Sequence, residues 1–256
     1  MSVTLKRRFS VDEVVNTVST MRKIKTYAVI GGTSGMGLGL AQRLVERGDR
    51  VLIGGRNAGR LEAAARKLGP LATARSVDIE DRASLTTFFA GQEELAGLFT
   101  PGTTYRTASF READAETAES PFRAKFWGQY WAVHTALPYF ARDAAIVLMS
   151  GAASVRPAGN PAYSACNAAI EGLARALAVE LRPIRVNCLS LGPIDSNLWR
   201  NRDASIREPV FDSWRALALT GEVGTVDDAA GAALFLLDNG NMNGSTIYSD
   251  GGYTMR

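Results

Sequence analysis

Tyr163 and Asn167 stand four residues apart in an Ala-rich stretch, YSACNAAIEGLARALAVEL. Helical spacing puts them on one face, one turn apart. A phenol is a proton donor with an ordinary pKa of about 10, and a nearby cation lowers it. Asn167 offers an amide but no charge, so a cation that tunes Tyr163 has to come from another part of the chain.

A second chemical feature is the glycine turn in VIGGTSGMG, which places Gly31, Gly35 and Gly37 between an apolar run and an amphipathic one. Glycines at a strand-to-helix turn allow a sharp bend and close backbone approach to a pyrophosphate, and the helix N-terminus adds partial positive charge. That pattern points to a dinucleotide. The end of the next apolar run decides which one: it reads Gly54, Gly55, Arg56, with no carboxylate before Glu62. An acid there would hold the ribose diol of NAD, whereas Arg56 suits a 2′-phosphate through paired, charge-assisted hydrogen bonds. NADP(H) is therefore the expected cofactor. Asp78, closing the third apolar run, is placed to meet the adenine edge or to cap a helix.

These residues need a scaffold, and the apolar pattern supplies one. TYAVIGG, RVLIGG, ATARSVDI, ELAGLFT, AAIVLMS, IRVNCLSLG and STIYSDGG read as strands. Helices are expected between them, with Asn57 as a cap, Gly69 as a stop and Asp81 near another start. One long helix is expected over 116–142. Apolar strands alternating with helices predict an α/β fold: a Rossmann-type, doubly wound parallel sheet with ligands beyond the carboxyl ends of the strands. No composition break or repeat divides the chain. The expected organisation is an N-terminal extension over residues 1–25 and a single domain over 26–256. In the extension, Ser10 could cap a short helix carrying Val11, Val14, Val15, Val18 and Met21 at helical spacing.

With these motifs in order, the chain resembles the short-chain dehydrogenase/reductase family from about Thr26 to its end. GGTSGMG looks like the family's TGxxxGxG turn, with Ile30 in place of Thr. MSG followed by YSACN looks like its Ser and YxxxK site, Ser150 lying thirteen residues before Tyr163. RVNCLSLGPIDS is similar to its RVNxxxPGxxxT segment, and NGSTIYSDGG to its closing strand. The resemblance implies hydride transfer between a nicotinamide and a carbonyl or alcohol carbon. Tyr163 would exchange the proton and Ser150 would hydrogen-bond the substrate oxygen, the acid and donor that carbonyl reduction needs. It also implies a cofactor site built from Gly31, Thr33, Ser34, Gly35, Met36 and Gly37; from Arg56, Asn57, Asp78 and Ile79; and from Thr100, Pro101, Gly102, Gly192, Ile194 and Ser196.

Three departures stand out. FTPG, residues 99–102, replaces the usual Asn-Asn-Ala-Gly. Asn167 replaces the YxxxK lysine. Lys125, on the long helix, stands where the family carries an Asn that anchors a water near that lysine. Read together, the last two are an exchange: Lys125 is expected to bring an ammonium into the same space from the other helix. Were Lys125 to stay out of reach, Tyr163 would remain a good acid and a poor base, which would bias the enzyme toward reduction.

Between Asp195 and Gly221 lie Trp199, Arg200, Arg202, Arg207, Phe211, Trp214 and Arg215. The resemblance makes this the cover of the substrate, and aromatics with arginines suit a flat or anionic small molecule. Trp127, Tyr130 and Trp131 are expected in the core or in a subunit interface, since the family forms dimers and tetramers.

The totals narrow the classes. The 256 residues are 46% hydrophobic and 21% charged, with a net charge of only +3 and scattered basic residues, which argues against a nucleic-acid partner. No apolar run reaches membrane-spanning length, and no signal peptide is expected. Cys166 and Cys188 have no metal spacing, His134 is a lone histidine, and no metal is expected. A cytoplasmic location with reduced thiols follows. The leading function is NADP(H)-dependent reduction of a carbonyl or imine. The alternatives are a non-redox isomerase, dehydratase or cyclase on the same fold and, behind it, a non-catalytic dinucleotide sensor.

Overall fold

The computed structural model describes residues 23–256 except 103, 158 and 201. The helix expected from Ser10 lies outside them. The strands are β1 (Thr26–Ile30), β2 (Arg50–Gly55), β3 (Ala72–Ser76), β4 (Leu95–Phe99), β5 (Phe140–Met149), β6 (Arg185–Leu191), the short pair β7 (Ile194–Asp195) and β8 (Gly224–Thr225), and β9 (Thr246–Ser249). The helices are α1 (Gly35–Glu46), α2 (Ala58–Leu68), α3 (Arg82–Phe89), α4 (Ala115–Pro121), α5 (Gly128–Ala136), α6 (Pro161–Glu180), α7 (Asn197–Arg200), α8 (Ala204–Leu217) and α9 (Val226–Asp238).

Seven strands form one parallel sheet in the order β3-β2-β1-β4-β5-β6-β9, so the chain winds outward from β1 in both directions. Each face carries its own apolar cluster. On one side Leu40 and Leu44 of α1, Leu68 of α2 and Leu236 of α9 pack against Val29, Ile53 and Val147. On the other, Phe88 and Phe89 of α3, Val133 of α5 and Ile170 of α6 pack against Ile30, Leu98 and Leu148. Both faces of the strands are thus buried, which is why they read as continuous apolar runs.

Local chemistry sets the helix ends as expected. Asn57 accepts a hydrogen bond from the Arg60 N–H at the start of α2, and Gly69 ends it at φ +77°. Asp81 caps α3 through the Ala83 N–H. The long helix, however, does not run to residue 142. It begins at α4, widens into a π-helical turn over Phe122–Trp127, continues as α5 and ends at Ala136. A 3-10 turn over Leu137–Tyr139, containing Pro138, follows it, and β5 begins at Phe140. Apolar residues around the end of the helix and the start of the strand merge into one run, which hides the boundary from periodicity.

Candidate active site

The carboxyl ends of β1, β2 and β4 open onto a cavity of about 360 Å³. Its floor is the glycine turn. Gly31, at φ +93°, and Gly102 lie backbone to backbone, so a Cβ on either would overlap the other. A Cβ at Gly37 would strike the Gly31 carbonyl. The FTPG segment thus keeps the one feature this contact requires, a glycine at residue 102. Ser34 stands at the head of α1 with its side chain making no capping bond, which leaves the first N–H groups of that helix toward the cavity.

Most of the expected cofactor residues line this cavity: Gly31, Thr33, Ser34, Gly35, Met36, Gly37, Arg56, Asn57, Asp78, Ile79, Pro101, Gly102 and Ser196. Three do not. Thr100 is fully buried and its hydroxyl donates to Gln129 Oε1 at 2.7 Å, turned into the core. Gly192 is packed against Asp250, whose Cβ a side chain there would meet at 2.6 Å. Ile194 is buried in β7, paired with Gly224. Arg60 and Thr104 also line the cavity and were not anticipated. Arg60 lies in the first turn of α2, four residues beyond Arg56, which stands before that helix. Arg56 Nη2 donates to Thr104 Oγ1 at 2.7 Å, tying the end of β2 to the segment after β4. Two arginines, a helix N-terminus and glycines that admit close approach together suit a phosphorylated dinucleotide.

Beside this cavity sits a buried polar cluster. Lys125, 1% exposed, projects from the π turn. Its Nζ donates to Asn167 Oδ1 at 2.5 Å and to the Ser150 carbonyl oxygen at 3.2 Å. Asn167, fully buried, uses its amide N–H to reach the Tyr163 carbonyl one turn back at 2.9 Å. Lys125 Nζ is 5.0 Å from the centre of the Tyr163 ring. A π turn adds a residue to the helical repeat and re-aims its side chains, a device common at functional sites. The Cys166 thiol donates to the Pro121 carbonyl at 3.2 Å, pinning α6 to this turn. Burial pushes the Cys166 thiol up to about 11 and that of Cys188 up to about 12, so both stay neutral.

Burial would push the Tyr163 phenol up, but the Lys125 charge and hydrogen bonds from Tyr105, Asn167 and Lys125 outweigh it and hold it below the ordinary value. Lys125 Nζ thus stands near the phenol, 5.0 Å from its ring centre. The bias toward reduction, expected if it stayed away, loses its basis, because a lowered phenol serves both as acid and as base.

Ser150, expected to hydrogen-bond the substrate oxygen, has internal partners. Its hydroxyl is bonded to Glu171 Oε1 and the Asn167 carbonyl, each at 3.0 Å. Glu171 lies about two turns along α6 from Tyr163 and also accepts from the Tyr248 hydroxyl at 2.9 Å. The residue that faces Tyr163 is Gly151: a Cβ there would stand 3.1 Å from the Tyr163 hydroxyl and 3.4 Å from Asn167 Oδ1. Successive residues of an extended segment point to opposite sides, so a shift of one position decides which residue meets the phenol. Sequence spacing also missed Tyr105. Its ring stacks on that of Tyr163 with centroids 4.9 Å apart and planes at 22°.

A second cavity, about 300 Å³, adjoins Tyr163 on the side of α4, with Ala108, Phe110, Thr117, Pro121 and Ala162 among its walls. Among the described residues its one charged wall residue, Arg106, is 3.2 Å from Glu116. The aromatic and arginine residues of α7 and α8 are engaged with each other. Trp199 lies 4.8 Å from Trp214 and 6.2 Å from Phe211, and Arg202 covers Trp199. Arg200 pairs with Asp195, Arg207 with Glu208 and Arg215 with Asp212. Among the described residues no helix is long and apolar enough to cross a membrane, and no three His, Cys, Asp or Glu side chains gather as a metal site.

Comparison with known proteins agrees with this architecture. A family model described as enoyl-(acyl carrier protein) reductase matches residues 30–254. The chain is 32% identical to sorbose reductase of Schizosaccharomyces pombe over 252 residues, covering 91% of this chain and 97% of that one. It is 30% identical to the L-tagatose-forming galactitol 2-dehydrogenase of Cereibacter sphaeroides, covering 89% and 94%. Among solved structures, a small-chain dehydrogenase in complex with NADPH superposes with a TM-score of 0.79 at 29% identity, covering 91% of this chain and all of that one. An NADPH-bound short chain oxidoreductase of Pseudomonas aeruginosa PAO1, described as containing an atypical catalytic center, gives 0.82 at 27% identity, covering 89% and 96%. The dinucleotide-type glycine turn, the doubly wound sheet and these matches lead to one conclusion: the chain belongs to the short-chain dehydrogenase/reductase family.

Proposed function

We propose that this protein is an NADP(H)-dependent oxidoreductase that reduces a carbonyl, or an imine, of a small molecule. The observation that carries the reading is the buried Lys125–Asn167 pair beside a phenol whose pKa is lowered. NADPH bound at the glycine turn would supply the hydride. The head of α1 and Gly31 would receive its pyrophosphate, and Arg56 and Arg60, which line the same cavity, would hold its 2′-phosphate. The NADPH in two related structures supports that choice of cofactor.

Tyr163 gives a proton to the substrate oxygen as negative charge grows there. Lys125 does the work expected of the missing lysine: its ammonium stabilises the phenolate that remains, and Asn167 holds that ammonium in place. The apolar cavity beside Tyr163 supports an uncharged, largely apolar or aromatic substrate. An anionic substrate loses its support, since the arginines of α7 and α8 and Arg106 already have partners. A cytoplasmic location fits two buried, free thiols. Assembly as a dimer or tetramer through the face of the π turn bearing Trp127, 47% exposed, belongs to the same reading.

The test is loss of NADPH absorbance with a panel of ketones and quinones, repeated with Lys125→Ala. Carbonyl-dependent consumption that collapses in the variant is expected. Cofactor binding and product formation without consumption would instead mark a non-redox enzyme. Unchanged turnover and cofactor affinity in Lys125→Ala would remove Lys125 from the mechanism.

A further inference from the structure

Tyr105 lies in the segment between β4 and α4, which is fastened to α4 at the next residue. The Arg106 N–H donates to Ser120 Oγ at 2.9 Å, and the Arg106 side chain pairs with Glu116 at 3.2 Å. This holds the Tyr105 ring flat against Tyr163, at 4.9 Å and 22°, with Lys125 Nζ 5.9 Å from its centre and 5.0 Å from that of Tyr163. The stack sets the two side chains beside each other, and the Tyr105 hydroxyl is among the groups that hold the Tyr163 phenol below its ordinary value. Gly151, which lies against the Tyr163 oxygen, has no side chain to offer, while the Ser150 hydroxyl is engaged by Glu171 and the Asn167 carbonyl.

We propose that Tyr105 is a positioning residue for Tyr163: its hydroxyl donates to the Tyr163 oxygen and stabilises the phenolate formed when Tyr163 releases its proton. The proposal rests on the reading of Tyr163 as the proton donor. In that step the hydride joins the carbonyl carbon, the π pair moves to the carbonyl oxygen, and that oxygen takes the Tyr163 proton. Tyr163 is left as phenolate and is reprotonated from solvent, while Tyr105 keeps its own proton throughout. Two features suit Tyr105 to this. Burial and the neighbouring Tyr163 push its own ionisation far up, so it remains a donor wherever the enzyme works. A stacked ring also fixes the hydroxyl with few rotatable bonds.

The test is Tyr105→Phe, which keeps the ring and the stack and removes only the donor. The primary readout is the Tyr163 phenolate titration, followed by ultraviolet difference absorbance and isolated by subtracting the same titration in a Tyr163→Phe background. A charge-assisted hydrogen bond predicts an upward shift of about one pH unit in Tyr105→Phe, roughly a tenfold drop in phenolate at a given pH. Alcohol oxidation, which needs the phenolate, should fall by about the same factor, the reduction limb should move to higher pH, and KM for NADPH and Tm should stay unchanged. Tyr105→Ala, which also loses the stack, should show the same titration shift with a lower Tm. An unshifted titration in Tyr105→Phe overturns the proposal whatever happens to turnover. If the wild type consumes no NADPH with any carbonyl, the reductase reading fails, yet the titration still decides whether Tyr105 governs Tyr163.

Discussion

Lys125 Nζ and Asn167 Oδ1 meet at 2.5 Å across 42 residues of sequence, joining the π turn after α4 to the helix that carries Tyr163. The amide binds the ammonium and the ammonium faces the phenol, so neither residue acts alone. In the reading proposed here, exchanging them should matter less than removing either.

The first prediction follows from that coupling. Lys125→Asn and Asn167→Lys should each lower kcat by about 10- to 100-fold, since each loses the positioned cation or leaves it unheld. The double variant should recover a large part of the loss. Steady-state kinetics over the four proteins measures the coupling, and strictly additive losses would reject the pairing. Lys125→Met should also destabilise the fold by about 1–3 kcal/mol, because two buried acceptors, Asn167 Oδ1 and the Ser150 carbonyl, lose their donor.

A pH dependence follows from the lowered Tyr163 phenol. Reduction needs the protonated phenol, so its rate should fall as pH rises through the lowered value, and alcohol oxidation should gain over the same range. Lys125→Met should move both limbs upward, toward the free-phenol value of about 10. The linked stability has a definite sign: it is fully present above the unfolded pKa of about 10 and is lost as pH falls through the lowered folded value. Rate profiles in both directions check the limbs, and limbs that stay put in Lys125→Met would count against Lys125 as the cause.

Arg56 and Arg60 should act on cofactor choice rather than on chemistry. Replacing either with Ala should raise KM for NADPH by about 10- to 100-fold and leave KM for NADH nearly unchanged, since only the 2′-phosphate is lost as a partner. Equal effects on the two cofactors would show that the arginines meet some other part of the nucleotide.

Gly151 gives a steric prediction. Its φ of −167° is ordinary extended backbone, so Gly151→Ala adds no backbone strain. The new Cβ would press on the Tyr163 hydroxyl at 3.1 Å and crowd Asn167 Oδ1 at 3.4 Å. Displacing a proton donor by even part of an ångström should lower kcat about tenfold or more while Tm changes little. Unaltered kcat would mean that the phenol has slack the packing does not suggest.

Much of the fold was legible because its signals are local. The alternating apolar runs, the glycine turn and the caps Asn57 and Asp81 each depend on neighbours within a turn or a strand. The sequence by itself thus determined the α/β order, the dinucleotide end of the sheet, and the placing of Tyr163 and Asn167 on one helical face. The exchange of Lys125 and Asn167 could be suspected from residue types, but only the π turn aims the lysine inward. Which of Ser150 and Gly151 faces the phenol was decided by the direction of one backbone residue, to which spacing is blind. The Tyr105 stack, the Arg106–Glu116 pair that steadies it, and the turn of Thr100 into the core depend on side chains packing across segments far apart in the chain. Backbone period follows from sequence order, while side-chain encounter follows from how the layers close.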